Sequence, residues 1–376
     1  MISAFEKANP SIKVQVEVSS WGEYWTKLQI QTAGGTAPDV FLMNAPSFVD
    51  YARKNLLHDL SPYIKRDNYS LDVFPKHLVE LYQQDRKQYG IPRDFDTIAL
   101  FYNKKLFDEC GLDYPTADWT YEDLEAAAAK LTKDTNNDGR LDQWGILATS
   151  ALQQMVAPLI WSNGGEIFDL SSSECLLDQP VAVETIQRIT DWIRREKIAP
   201  SPSQAQSLGW AAFTTGKIAM EFNGPFMINT YKDITDFTWD VAPLPKGKKG
   251  RVTTLHGLSN VVYTKTKNPE AAWRLVKFLS DEHAQRYLAE NKVAIPALQS
   301  VADEFFQFSL GENGKNCAEV FLNSLQYARM FPLAPNFNEW NTEYVRNIDL
   351  IFLGQATPSQ NLKTLARKIT EIINRH

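Results

Sequence analysis

Two α/β domains built on doubly wound sheets are the fold class the sequence predicts. Segments with helical periodicity alternate with short apolar or period-two segments along the whole chain. One of these, D-V-F-L-M at 39–43, is apolar without a break from Val40 on, as in buried, parallel-type strands. A chain of 376 residues with 44% apolar content is also longer than one core usually serves.

The first eight residues read as a helix closed by Asn9-Pro10. Ile12, Val14, Val16 and Val18 alternate with polar residues, which predicts a strand. A helix over 21–32 follows, stopped by Gly34-Gly35, and then the strand 39–43. Helices are expected at 121–131 and 181–195, with strands at 145–148, 217–222, 238–242 and 259–263. The helix 269–279 has Asn268 before it, Pro269 in its first turn, and Trp273, Val276 and Leu279 on one face. A last helix, 358–373, follows Thr357 and carries Leu362, Leu365, Ile369 and Ile372 on one stripe. Residues 243–250, P-L-P-K-G-K-K-G, oppose both helix and strand and read as a linker.

A net charge of −6 argues against nucleic acid or an anionic membrane as the main partner. Ten tryptophans are many for a globular chain; besides filling cores, such rings bind the flat apolar faces of sugars. Cys110, Cys175 and Cys317 lie far apart, forming neither a zinc motif nor a disulfide framework. No apolar run reaches the length of a membrane span, and no signal peptide is expected within these residues.

A set of ordered stretches carries a family resemblance. They are A-F-E-K-A-N-P-S-I-K-V (4–14), T-A-G-G-T-A-P-D-V-F (32–41), Y-G-I-P-R-D-F-D-T (89–97) and L-F-Y-N-K-K-L-F (100–107). F-T-T-G-K-I-A-M (213–220), N-G-P-F-M (223–227), A-P-L-P-K-G (242–247) and K-N-P-E-A-A-W-R-L-V-K-F-L (267–279) follow. In this order the chain resembles the extracellular solute-binding proteins of ABC importers, in the carbohydrate- and maltose-binding branch. The resemblance implies a two-lobe periplasmic-binding-protein fold of type II, with discontinuous lobes joined by hinge strands and a ligand cleft between them. The lobes expected are 1–102 with 258–310, and 103–257 with 311–376, with crossings near 101–103, 255–258 and Leu310. It also implies a monomer in the periplasm or on the outer face of the cytoplasmic membrane, a sugar ligand and a permease partner. In such proteins a strand precedes the first helix, whereas these residues begin at that helix. Neighbouring strand edges are therefore expected to lack a partner.

A sugar site needs aromatic platforms with carboxylates, amides and charged donors at their edges. Asp96 stands where the family places an acid against sugar hydroxyls; as a plain surface residue it would cap the next segment. Asn44 ends a strand, where ligands of open α/β sheets sit, and could equally cap the helix 46–53. Trp21 follows the turn at Ser19-Ser20, either to stack on a ligand or to staple its own helix. Phe226 sits where relatives often carry Trp, keeping an aromatic face without the N–H, beside Asn223 and Gly224 in a tight turn. Trp340 and Trp161 are further platforms, each with core packing as the rival role. Gly257 would let backbone approach a ligand, and His256 would donate to a hydroxyl. Arg329, between aromatics, suits polyol or phosphate recognition or a surface ion pair.

Residues 133–145, K-D-T-N-N-D-G-R-L-D-Q-W-G, resemble a calcium loop: Asp134, Asn136, Asp138, the Arg140 carbonyl and Asp142 fall near EF-hand positions, and Gly139 near the sharp turn. The twelfth position is Gly145, so the bidentate glutamate is missing, and Asn and Asp also make such turns unaided. Structural calcium is one reading and an ion-free turn the other; no other cofactor is expected. For function, non-catalytic sugar capture leads. A polyol phosphate such as glycerol 3-phosphate would need more cations than Arg93, Arg329 and His256. A glycoside hydrolase would need two carboxyl groups across the scissile bond, and Asp94 and Asp96, two apart on one strand face, do not flank one.

Overall fold

The computed structural model describes residues 1–307 and 311–375. The expected crossing near Leu310 lies outside them. The chain divides into two compact units, one made of Met1–Phe95 and His256–Phe308, the other of Asp96–Leu255 and Ser309–His376. Among the described residues no helix is long and apolar enough to cross a membrane.

The first unit is built on the strands Val40–Asn44 and Ile295–Pro296 with the parts of Gly90–Asp96 and Thr253–Val262 that lie up to Phe95 and from His256 onward. Val40–Asn44 pairs antiparallel with Leu258–Val262, and Ile295–Pro296 pairs antiparallel with Asp94–Phe95. The helix Trp21–Gly34 ends at Gly35, whose φ of 72° is a left-handed cap that glycine adopts without cost. The helix Pro269–Leu279 buries Ala272, Trp273 and Val276. Asn268 precedes it but makes no side-chain cap; Pro269 at the first turn removes one orphan N–H by itself. Fully buried aromatics, including Phe5, Phe48, Tyr82 and Trp273, fill this core.

The expected strand over 12–18 does not form: the segment has no regular structure and joins no ladder. Its alternation is genuine, yet Val16 and Val18 point outward, 59% and 86% exposed. A strand needs a neighbour, and the outer edge of Val40–Asn44 stands across an open groove of about 670 Å³. Ile2, Leu28, Leu42, Ala271, Leu275 and Leu279 line that groove. The Tyr24 hydroxyl donates to the Leu42 carbonyl at this edge (2.7 Å), and Glu6 accepts from the Val14 N–H (2.9 Å).

The second unit has Ala99–Asn103 as the central strand of three, flanked by Met220–Asn223 and Trp239–Ala242, both antiparallel to it. The described pairs of the two main sheets are thus antiparallel, apart from Ala328–Met330 beside Thr253–Leu255. This corrects the parallel arrangement the apolar runs suggested; burial on both faces makes a strand apolar whichever way its neighbour runs. The expected strand 145–148 is a single parallel bridge between Trp144 and Ile218, continued by isolated backbone bonds such as Leu147 N–H to Met220 O (3.0 Å). Gly145 explains why: a Cβ there would lie 2.2 Å from the Ala128 carbonyl, so this segment packs directly on a helix. That helix, Tyr121–Leu131, starts on a reciprocal capping box between Thr120 and Asp123. The helix Pro358–Ile373 buries the expected stripe of Leu362, Leu365, Ile369 and Ile372, although Thr357 makes no side-chain cap.

Candidate functional site

The second unit gathers the larger share of the candidates. Asp96 leaves the first unit's last shared strand half-buried, and its Oδ1 accepts from Gln153 Nε2 at 2.6 Å. Gln153 lies in a π-turn, Leu152–Val156, and Thr254 Oγ1 donates to its carbonyl at 2.9 Å. Such turns widen a helix locally and re-aim a side chain. Asp96 is therefore a positioned carboxylate, its Oδ1 oriented by the Gln153 amide. Gln153 was not singled out in the sequence, because its π geometry leaves no pattern in residue types.

The turn after Met220–Asn223 is the second element. Asn223 Oδ1 accepts from the Gly224 N–H (3.0 Å), while its Nδ2 donates to Glu221 Oε1 (3.2 Å). A Cβ on Gly224 would stand 2.3 Å from Phe226 Cε1, so the ring lies directly on the glycine and is half-exposed. Glycine is required here by close approach. Glu221 is 1% exposed, and its other oxygen, Oε2, has no hydrogen-bond partner. Burial raises its carboxyl to about 7, against the opposing hydrogen bonds from Tyr231 and Asn223.

A third cluster joins Trp161, Glu166 and Arg329. The Arg329 guanidinium meets Glu166 through two parallel bonds of 3.0 and 2.9 Å and stands 4.7 Å from the Trp161 ring centroid. Trp161 is 4% exposed, and the cation covers a face on which a ligand was expected to stack. Trp340 is 1% exposed, edge-to-face with Phe168 and Phe337 at 5.2 and 5.1 Å, with its Nε1 donating to the Ala334 carbonyl. Its surroundings are those of the core-packing role.

In the first unit, Asn44 caps the helix Ala45–Arg53: its side chain accepts from the Ser47 N–H at 3.0 Å. Trp21 is 57% exposed, near-parallel to Tyr24 and edge-on to Trp25, an aromatic cluster with an outward face. Gly257 is close to protein and not open to a ligand from that side, since a Cβ would meet the Asp94 carbonyl at 2.5 Å. Its own carbonyl accepts from the Tyr82 hydroxyl (2.6 Å). The adjacent His256 is buried. Asp94 accepts from the Leu258 N–H (2.9 Å) and pairs with Arg93.

In the Asp-rich loop, the acids bind the loop's own backbone. Asp134 accepts from the N–H groups of Asp138 and Gly139, Asp138 from that of Arg140, and Asp142 from Thr135. Asn136 Oδ1 takes the Asp138 N–H as well (2.8 Å). Among the described residues no group of three or more His, Cys, Asp or Glu gathers as a metal site. The three cysteines are free thiols.

Comparison with known proteins adds a family. The family model described as bacterial extracellular solute-binding protein matches residues 1–286. A putative binding protein of Brucella abortus is 26% identical over 99% of this chain and 88% of its own length. The galactooligosaccharide-binding protein of Bacillus subtilis is 24% identical over 97% of this chain and 84% of its own. Among solved structures, an ABC substrate-binding protein from Listeria monocytogenes in complex with cycloalternan is 31% identical, with a TM-score of 0.91 over 100% of this chain and 95% of that one.

Proposed function

This chain belongs to the bacterial extracellular solute-binding protein family, and on that premise we propose that it captures a sugar or oligosaccharide and hands it unchanged to the permease of an ABC importer. Family membership sets its work outside the cytoplasm; the periplasm or the outer face of the cytoplasmic membrane is our reading of where. The observation that carries a neutral ligand is the state of the two arginines a phosphate would need. Arg93 is paired with Asp94, and Arg329 with Glu166 through both of its terminal nitrogens. An anionic ligand would have to displace a carboxylate from each. What is offered instead suits hydroxyl groups and ring faces: the Asp96 carboxylate, the Asn223 amide, and the half-exposed Phe226 ring.

Capture then works by population shift, the saccharide favouring whichever conformer it contacts more fully. Hydrolysis lacks support in the same residues. Asp94 is held by a backbone N–H and an arginine, and Asp94 and Asp96 stand two residues apart on one strand, so they do not flank a scissile bond.

The relative solved with cycloalternan makes that cyclic oligosaccharide the first ligand to try. Calorimetric titration with cycloalternan, maltooligosaccharides, galactooligosaccharides and glycerol 3-phosphate is expected to show tight binding of one saccharide class. Chromatography of the recovered ligand should show it intact. Tight binding of glycerol 3-phosphate alone, or shortened saccharide, would overturn the reading. Phe226→Ala should cost roughly 1 kcal/mol or more of affinity, the scale of one lost aromatic stacking contact.

A further inference from the structure

We propose that Glu221 is a positioning residue that sets the ligand-facing turn 223–226; this rests on the saccharide reading of that turn. The strand Met220–Asn223 places Glu221 opposite Phe101, inside the second unit and away from solvent. A carboxyl group buried with one oxygen unmatched is a poor choice for packing, since an apolar side chain there would carry no such cost. Its other oxygen has two donors: the Tyr231 hydroxyl and Asn223 Nδ2. From there the contacts run outward in series. Glu221 fixes the Asn223 amide, the amide's Oδ1 takes the Gly224 N–H, and the Phe226 ring rests on Gly224. An amide held at both ends presents its remaining donor and acceptor in one orientation, which is what hydroxyl recognition requires.

The surroundings make the hold dependent on charge. Tyr231 is enclosed by Phe101, Phe213 and Trp239, and its ionisation is pushed up, so it remains a donor. Across the central strand the facing side chain is Phe101, which carries no charge. Among the described residues Tyr231 is the ionisable group in contact with Glu221, and burial places the carboxyl's titration at about 7. Above that value the carboxylate grips Asn223 and Tyr231 by charge-assisted bonds; below it the grip is that of a neutral acid, roughly half as strong. Saccharide affinity should therefore weaken as pH falls through neutrality.

The test uses the full chain with cycloalternan as probe, titrated from pH 5.5 to 8.5, for wild type, Glu221→Gln and Glu221→Ala. Wild type is expected to lose several-fold in affinity toward the acid end. Glu221→Gln should give a flat profile at the weaker level, because its amide oxygen still accepts, and Glu221→Ala should bind more weakly still. A ligand-free measurement runs beside it: the side-chain amide of Asn223 and the backbone amide of Gly224, followed by ¹⁵N resonance, should titrate near neutral pH in wild type and not in Glu221→Gln. Absence of that titration overturns the inference whether or not a saccharide binds. Titrating resonances in a protein that binds no saccharide would instead sink the functional reading alone. Wild-type affinity and pH profile in both variants would show that Glu221 does not position the turn.

Discussion

Replacing Trp340 by alanine separates its two possible roles. The ring is 1% exposed, makes two edge-to-face contacts with Phe168 and Phe337, and donates from Nε1 to the Ala334 carbonyl. Loss of a buried Trp costs about 3–5 kcal/mol through lost transfer energy and the cavity left behind. The orphaned carbonyl adds about 1 kcal/mol, partly recovered if water enters. A loss near 4 kcal/mol in a unit of about two hundred residues lowers its melting temperature by roughly 8–16 °C. Calorimetry should show this in one transition, the other unit melting as before. Trp340→Phe should recover about half the loss while leaving saccharide affinity within about twofold, because the ring is enclosed against Phe168 and Phe337. Unchanged stability in Trp340→Ala together with a tenfold or greater loss of saccharide affinity would refute the core assignment and restore the ring as a platform.

Glu221 should also set a pH dependence of stability. Its carboxyl titrates near 7 in the folded chain against 4.5 ordinarily, so its stabilisation is complete below about 4.5 and is lost as pH rises through 7. The loss amounts to about 3 kcal/mol. Urea unfolding at pH 5 and pH 8.5 should show that difference in wild type and little of it in Glu221→Gln; equal slopes in both would contradict it. Gly257→Ala forces a methyl to within 2.5 Å of the Asp94 carbonyl, and a loss of about 1–3 kcal/mol in thermal unfolding is expected without any ligand present. In the Asp-rich loop the carboxylates already serve backbone donors, so millimolar calcium should move the melting temperature by no more than about 1 °C; a shift of several degrees, reversed by chelator, would establish an ion site.

The sequence carried the helices well because their signals are local. Pro269 at a first turn and the stripe from Leu362 to Ile372 each act within a few residues, and the structure has helices at both. Strands were legible only where a partner exists. Ile12 to Val18 has ideal alternation and no ladder, while the expected strand at 259–263 proved to be the end of the longer strand Thr253–Val262, with Tyr263 just beyond it in a single bridge to Leu57. Among the candidate site residues, the chemistry of each was readable but not its company. Nothing in residue type says that Arg329 is already paired with Glu166, or that Trp161 lies beneath its guanidinium. Glu221 and Gln153 escaped notice because a Glu inside a strand and a Gln inside a helix are unremarkable until burial and the π-turn are seen.

Among the described residues the outer edge of Val40–Asn44 pairs with no strand, which matters for handling residues 1–376 by themselves. Backbone groups that face a wet trough invite a visiting chain, so concentrated solutions should tend toward strand-to-strand clumping. The Lys13–Glu6 and Lys27–Glu17 ion pairs (3.4 and 2.7 Å) stand beside that edge, and a visiting strand would have to desolvate them. Light scattering should therefore rise with protein concentration and fall when a charged residue is placed on Val40–Asn44 itself.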